Sequence, residues 1–136
     1  KAMEGAGIDV REAWLLDTTS DVRGADRLVA RTFTNDSDYE PTGVVAADDV
    51  FALEAKRALA RDSMYIEGEI SFVGIGNMGD RQGDSLLTTV DLHPELMAAE
   101  AVHLLKRRIE HPSRPVEARM VGVSLIDRGS CGPPYD

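Results

Sequence analysis

The chain is a succession of short apolar runs separated by polar stretches, and the spacing within each run predicts its element. Lys1 to Gly7 reads as the last turn of a helix stopped by Gly5 or Gly7. No N-cap precedes it, so the chain is expected to be a piece of something longer. Ala13–Leu16, closed by Asp17, is a short apolar run and predicts a strand. Ser20 can cap a helix through about Thr32, with Val22, Ala25, Val29 and Phe33 at helical spacing. After the polar loop Thr34–Glu40 comes a strand, Val44–Ala47. A helix follows over Val50–Arg61, with Asp49 as its cap and an apolar face of Phe51, Ala55, Ala58 and Leu59. Asp62–Glu69 is a loop into a strand at Ile70–Ile75. The polar run 79–85 is a surface loop, and Leu86–Val90 is a short extended segment.

Pro94 suits the first turn of a helix reaching about Ile109. Glu95 lies at its positive end and Lys106, Arg107 and Arg108 at its negative end, as the macrodipole favours. Met97, Ala101, Val102, Leu105 and Ile109 form its apolar stripe. Pro112 and Pro115 then break the chain. Val116–Ile126 alternates before turning apolar, which predicts a long strand near a sheet edge, and Gly129–Asp136 is a tail. The predicted order is β-α-β-α-β-β-α-β, an α/β fold with a Rossmann-like parallel sheet.

The stretch Pro41 to Gly79 carries most of the information. Two apolar strands flank one amphipathic helix, a βαβ unit whose strands should be parallel neighbours joined by a right-handed crossover. Asp48 and Asp49 follow the first strand; Gly76 and Asn77 follow the second. Open α/β sheets bind ligands outside the carboxyl ends of their strands. Asp48 is therefore expected to face a ligand cleft, while Asp49 caps the helix.

Bulk composition narrows the function. At 136 residues the length suits one domain, and a net charge of −9 argues against these residues gripping a phosphate backbone. No apolar run approaches the roughly 20 residues of a membrane span. No signal-peptide pattern is visible, and the single Cys131 cannot form an intrachain disulfide, which fits a reducing compartment.

Two motifs mislead. Gly74-Ile75-Gly76-Asn77-Met78-Gly79 matches GxGxxG after a strand, but a dinucleotide site needs a helix directly behind it to receive the pyrophosphate. Asp80-Arg81-Gln82-Gly83-Asp84-Ser85 follows instead, too short and aperiodic for one. An acidic pair after a strand also occurs in magnesium-binding receiver domains, but the later strand here ends in Gly76-Asn77 rather than Asp. His93, His103 and His111 have no metal-ligand spacing, and Cys131 has no evident base. Neither an enzyme nor a cofactor or metal is expected.

With the elements placed, the chain resembles the C-terminal part of the effector domain of LacI/GalR-type transcriptional regulators. PTGVVAADDVFALEAKRAL is similar to that family's PTA-strand-ND run, and GEISFVGIGNMG to its DISVVGFDD strand. LLTTVDLHPELMAAEAVHLLKRRIE matches its LTTV crossover and helix, and LIDRGSCGPP its closing segment. The resemblance is clearest from Gly43 onward. It implies a type I periplasmic-binding-protein-like fold of two lobes. Residues 1–91 and 113–128 would form part of the second lobe. Residues 92–110 would be the crossover and a helix of the first lobe. The DNA-binding helix-turn-helix, most of the first lobe and the second lobe's first strand would lie outside this chain.

The resemblance implies effector contacts at Asp48, Asn77, Gly76, Thr19 and Leu92, and a homodimer through Phe51, Leu53, Lys56 and Arg57 with the 79–85 loop. Departures are visible. The family usually has Asn where Asp48 stands and a sugar-binding Asp where Gly76 stands. Thr19 falls near a position that often stacks an aromatic ring on the ligand, and Leu92 replaces a polar contact. The expected function is sensing of a small effector, of the carbohydrate class, by a cytoplasmic repressor that meets DNA only through its missing helix-turn-helix. The alternative is a periplasmic solute-binding protein feeding an ABC transporter.

Overall fold

The computed structural model describes residues 1–16, 32–33, 41–61, 68–78 and 86–133. Its elements are α1 (Ala2–Gly5), a 3-10 turn (Glu12–Trp14), β1 (Gly43–Val45), α2 (Asp49–Arg61), β2 (Ser71–Ile75), β3 (Thr88–Asp91), α3 (Pro94–Glu110) and β4 (Ser124–Ile126). The four strands form one sheet in the order β1-β2-β3-β4. β1 pairs parallel to β2 with Val44 beside Phe72, and β2 parallel to β3 with Gly74 beside Thr89. β4 returns antiparallel, with Asp91 beside Ser124. The expected βαβ unit is present as β1-α2-β2. Parallel β2 and β3 are joined by 76–87, about the shortest length a crossover allows. The expected helix over Ser20–Thr32, apart from Thr32, and the loop 79–85 lie outside the described residues.

The core forms where α2 lies on the sheet. Ala52, Leu53, Ala55 and Leu59 recur at helical spacing and pack with Ile70, Phe72, Leu87 and Phe33. Phe72, Leu53 and Leu59 are fully buried. Each such side chain contributes about 1.5–3 kcal/mol by leaving water. The small residues Ala52, Ala55 and Ala58 let the helix axis approach the strands.

Three expectations change. The run Ala13–Leu16 is not a strand: Trp14 N–H bonds Arg11 O and Leu15 N–H bonds Glu12 O, so its backbone donors are used in a tight local turn. The long strand over Val116–Ile126 shrinks to β4. Its partner β3 ends at Asp91, and an antiparallel ladder cannot outlast its partner. Met120 is accordingly 99% exposed. Leu53, expected at a dimer interface, is only 1% exposed because it lies on the sheet-facing side of α2. Phe51 and Lys56 are half-buried, and exposed Arg57 pairs with Glu54 at 2.8 Å.

The tail is structural. Ser130 Oγ accepts the Thr88 N–H at 2.7 Å and donates to Phe72 O at 2.6 Å, while Ser130 O accepts the Phe72 N–H at 2.9 Å. One serine thus ties β2 to β3 at their starts. α3 contrasts with α2, for none of its residues is buried and Leu96, Met97, Val102, Leu105 and Ile109 are bare on this chain. Among the described residues, no helix is long and apolar enough to cross a membrane.

Candidate functional site

The parallel register brings the carboxyl ends of β1, β2 and β3 to one edge of the sheet. Asp48 follows β1, Gly76–Met78 follow β2, and Asp91 ends β3. Asp48 takes the capping role expected of Asp49, and Asp49 turns into the interior instead. Val50 N–H bonds Asp48 Oδ1 at 2.6 Å, so Asp48, not Asp49, caps α2. The reason is one of direction. Asp48 sits one residue before the first helical residue, where a short side chain curls back onto the N2 amide. Asp49 is already helical and projects inward.

Asp49 is 1% exposed. Its Oδ1 accepts the Thr89 hydroxyl at 2.6 Å, and its Oδ2 accepts the Met78 N–H at 2.5 Å. It lies over Gly74, where any side chain would collide with it. A glycine inside a strand signals close approach by another group, and this was the one sequence cue to Asp49's position.

Gly76 and Asn77 have φ of +121° and +54°, a left-handed turn that aims the Asn77 side chain across the sheet edge. Asn77 Nδ2 donates to Asp91 Oδ2 at 3.0 Å, and its Oδ1 accepts from Arg128 Nη2 at 2.6 Å. Both ends of the amide are therefore engaged within the chain. Arg128 Nη1 also donates to Leu87 O at 3.2 Å. Arg128 and Thr89 were not identified from sequence, since nothing in their spacing marks them.

Asp91 governs the passage into α3. Its Oδ1 accepts the N–H of His93, whose φ is +50°, at 2.8 Å, and His93 Nε2 lies 2.8 Å from Ser124 Oγ on β4. Ser124, His93 and Asp91 follow a hydrolytic order, but His93 Nδ1 is 3.8 Å from Asp91 Oδ2, longer than a hydrogen bond. Leu92, beside this clasp, is exposed. Thr19 lies outside the described residues.

The His93 N–H holds the Asp91 carboxyl below its ordinary 3.8, helped by Asn77 and by the charges of His93 and Arg128 and opposed by burial. A carboxylate depressed by folding stabilises the fold above its unfolded pKa, and that contribution is lost as pH falls through its folded value. Asp91 therefore adds stability above about pH 4 and loses it in stronger acid. Asp91→Asn should flatten this acid limb, read from urea midpoints between pH 7 and 2; an unchanged limb would rule out the linkage.

A family model described as periplasmic binding protein-like domain matches residues 1–131. The chain belongs to this family. Among its relatives, the HTH-type transcriptional repressor PurR of Proteus mirabilis (strain HI4320) is 30% identical over 131 residues, 96% of this chain and 38% of the repressor. A transcriptional regulator LacI from Bacillus cereus subsp. cytotoxis superposes with a TM-score of 0.85 at 20% identity, over 98% of this chain and 47% of that one. A LacI family regulator from Enterococcus faecium, solved with bound ribose, gives 0.80 at 24% identity, over 98% and 49%. These bear out both the resemblance to LacI/GalR regulators and the expected fold class. The chain spans less than half the length of these relatives. Within the periplasmic binding protein-like frame, the polar edge formed by Asp48, the β2 exit and Asp91 is the candidate site.

Proposed function

We propose that this chain is the effector-sensing portion of a LacI-type transcriptional repressor whose DNA contacts lie in a helix-turn-helix outside it. The match of residues 1–131 to the ligand-binding family carries the reading. The edge supplies hydrogen-bonding groups suited to a polyhydroxylated effector. Asp48 Oδ1 is spent on the Val50 amide, and among the described residues its second oxygen bonds nothing, which leaves an acceptor for a sugar hydroxyl. Gly76 opens space at the edge. Effector binding would shift an equilibrium between two lobe arrangements through contacts made better in one of them.

The same reading assigns α3 to the other lobe, which would cover the stripe that Met97, Val102 and Leu105 leave bare. It places a homodimer contact on the outer side of α2, at Phe51, Lys56 and Arg57, without Leu53. A cytoplasmic location follows from the repressor role. The transporter alternative has less support, because the similar full-length proteins are repressors.

Calorimetric titration of the full-length protein with D-ribose and a panel of other sugars tests this. Asp48→Ala should weaken binding of whichever sugar binds by about 1–3 kcal/mol, the worth of a hydrogen bond to a charged group. Unchanged affinity in a folded Asp48→Ala variant would remove Asp48 from the site. If no sugar binds the wild type, the carbohydrate assignment fails.

A further inference from the structure

We propose that Asp49 is the positioning residue of the β2 exit, the buried anion that sets the shape of the turn presenting Gly76 and Asn77. What the turn is for rests on the effector-sensing reading; how it is held does not. Met78 N–H donates directly to Asp49 Oδ2 at 2.5 Å. Asn77 N–H donates to Thr89 Oγ1 at 3.2 Å, and that hydroxyl donates onward to Asp49 Oδ1 at 2.6 Å. Two successive amides of the turn therefore end on one carboxylate, one of them through a relay. Those amides lie in a turn whose Gly76 and Asn77 both have positive φ, a conformation that glycine and asparagine adopt more readily than other residues. Each carboxylate oxygen has a separate task, so an aspartate suits the position better than its amide.

Thr89 is 0% exposed, and Gly74 leaves room for nothing between β2 and the carboxylate. The charge sits at the first turn of α2, where the helix dipole favours an anion. Displacing it would free both amides and release the Asn77 side chain from its line between Asp91 and Arg128. Asp49 thus acts on the ligand edge through the turn and does not touch the ligand.

Amide exchange and 1H–15N spectra of the full-length protein test this. Asp49→Asn keeps the volume but leaves one oxygen for two donors. Exchange at Asn77 and Met78 should rise about ten-fold or more, the factor one net hydrogen bond supplies, with the Met78 amide resonance moving upfield. Protection in β1 and in the middle of α2 should hold. Thr89→Val should speed Asn77 while sparing Met78, and Thr89→Ser should restore wild-type exchange. If Asp49→Asn does not fold, this Thr89 pair decides.

Wild-type exchange at both amides in folded Asp49→Asn overturns the proposal. So does a uniform rise across β1, α2 and β2, which marks general loosening, or Thr89→Ser behaving like Thr89→Val. D-ribose binding is read separately: about ten-fold weaker binding by Asp49→Asn at intact strand protection supports the proposal, and wild-type affinity counts against the turn's part in binding. A wild type that takes neither ribose nor any other sugar of the panel counts against the ligand assignment alone, because the exchange data still judge Asp49.

Discussion

Gly74→Ala will destabilise the protein by about 3 kcal/mol, the upper end of what overpacking a dense interior costs. Gly74 lies within β2 and is not among the positive-φ glycines, so the penalty does not come from backbone conformation. It comes from the helix start. A Cβ at this position would fall on Asp49 Oδ1, 3.1 Å from Asp49 Cγ and 2.9 Å from Asp49 Cα. The carboxylate cannot swing aside without breaking its bonds to Thr89 and Met78, and the Cα cannot move without lifting α2 off the sheet. Urea denaturation of the variant checks the magnitude. A double-mutant cycle with Asp49→Ala locates the cause. Removing the carboxylate deletes two of the three close contacts, so the Gly74→Ala penalty should shrink without vanishing. Additive losses would mean that the two positions do not meet.

Phe72→Ala should cost about 3–5 kcal/mol, the range for emptying a buried phenylalanine site. Phe72 is 0% exposed and sits in the cluster with Leu53, Leu59 and Leu87. Both of its backbone groups are held by one residue: its carbonyl takes the Ser130 hydroxyl and its N–H goes to Ser130 O. The strand cannot sag into the cavity, so little of the loss is recovered by collapse. Val45→Ala on neighbouring β1 is the control. Val45 is 81% exposed, and its truncation should change stability by less than about 0.5 kcal/mol. Comparable losses at the two positions would contradict the placement of the core.

Apolar periodicity determined the local architecture. The run Val44–Ala47, the helical spacing of Ala55, Ala58 and Leu59, and the run Ile70–Ile75 predicted β1, α2, β2 and their parallel pairing, since a connection of that length between adjacent strands admits little else. Pro94 and the charge distribution of the following residues located α3 within one residue at its C-terminal end. The family resemblance was also legible, because it rests on short motifs in a fixed order.

Tertiary structure decided what each polar group does. Adjacent Asp48 and Asp49 are identical in chemistry, and capping propensity alone does not say which one precedes the helix. Only the direction of the first turn makes Asp48 the cap and sends Asp49 into the interior. Asn77, Asp91 and Arg128 are far apart in sequence and meet because β2, β3 and β4 run side by side. The extent of β4 followed from where its partner ends, and the 3-10 turn at Glu12–Trp14 from bonds its own backbone could close. Periodicity records which side of an element faces the core. It does not encode which distant donor reaches a given carboxylate, because that distance is set only once the sheet and helix have packed.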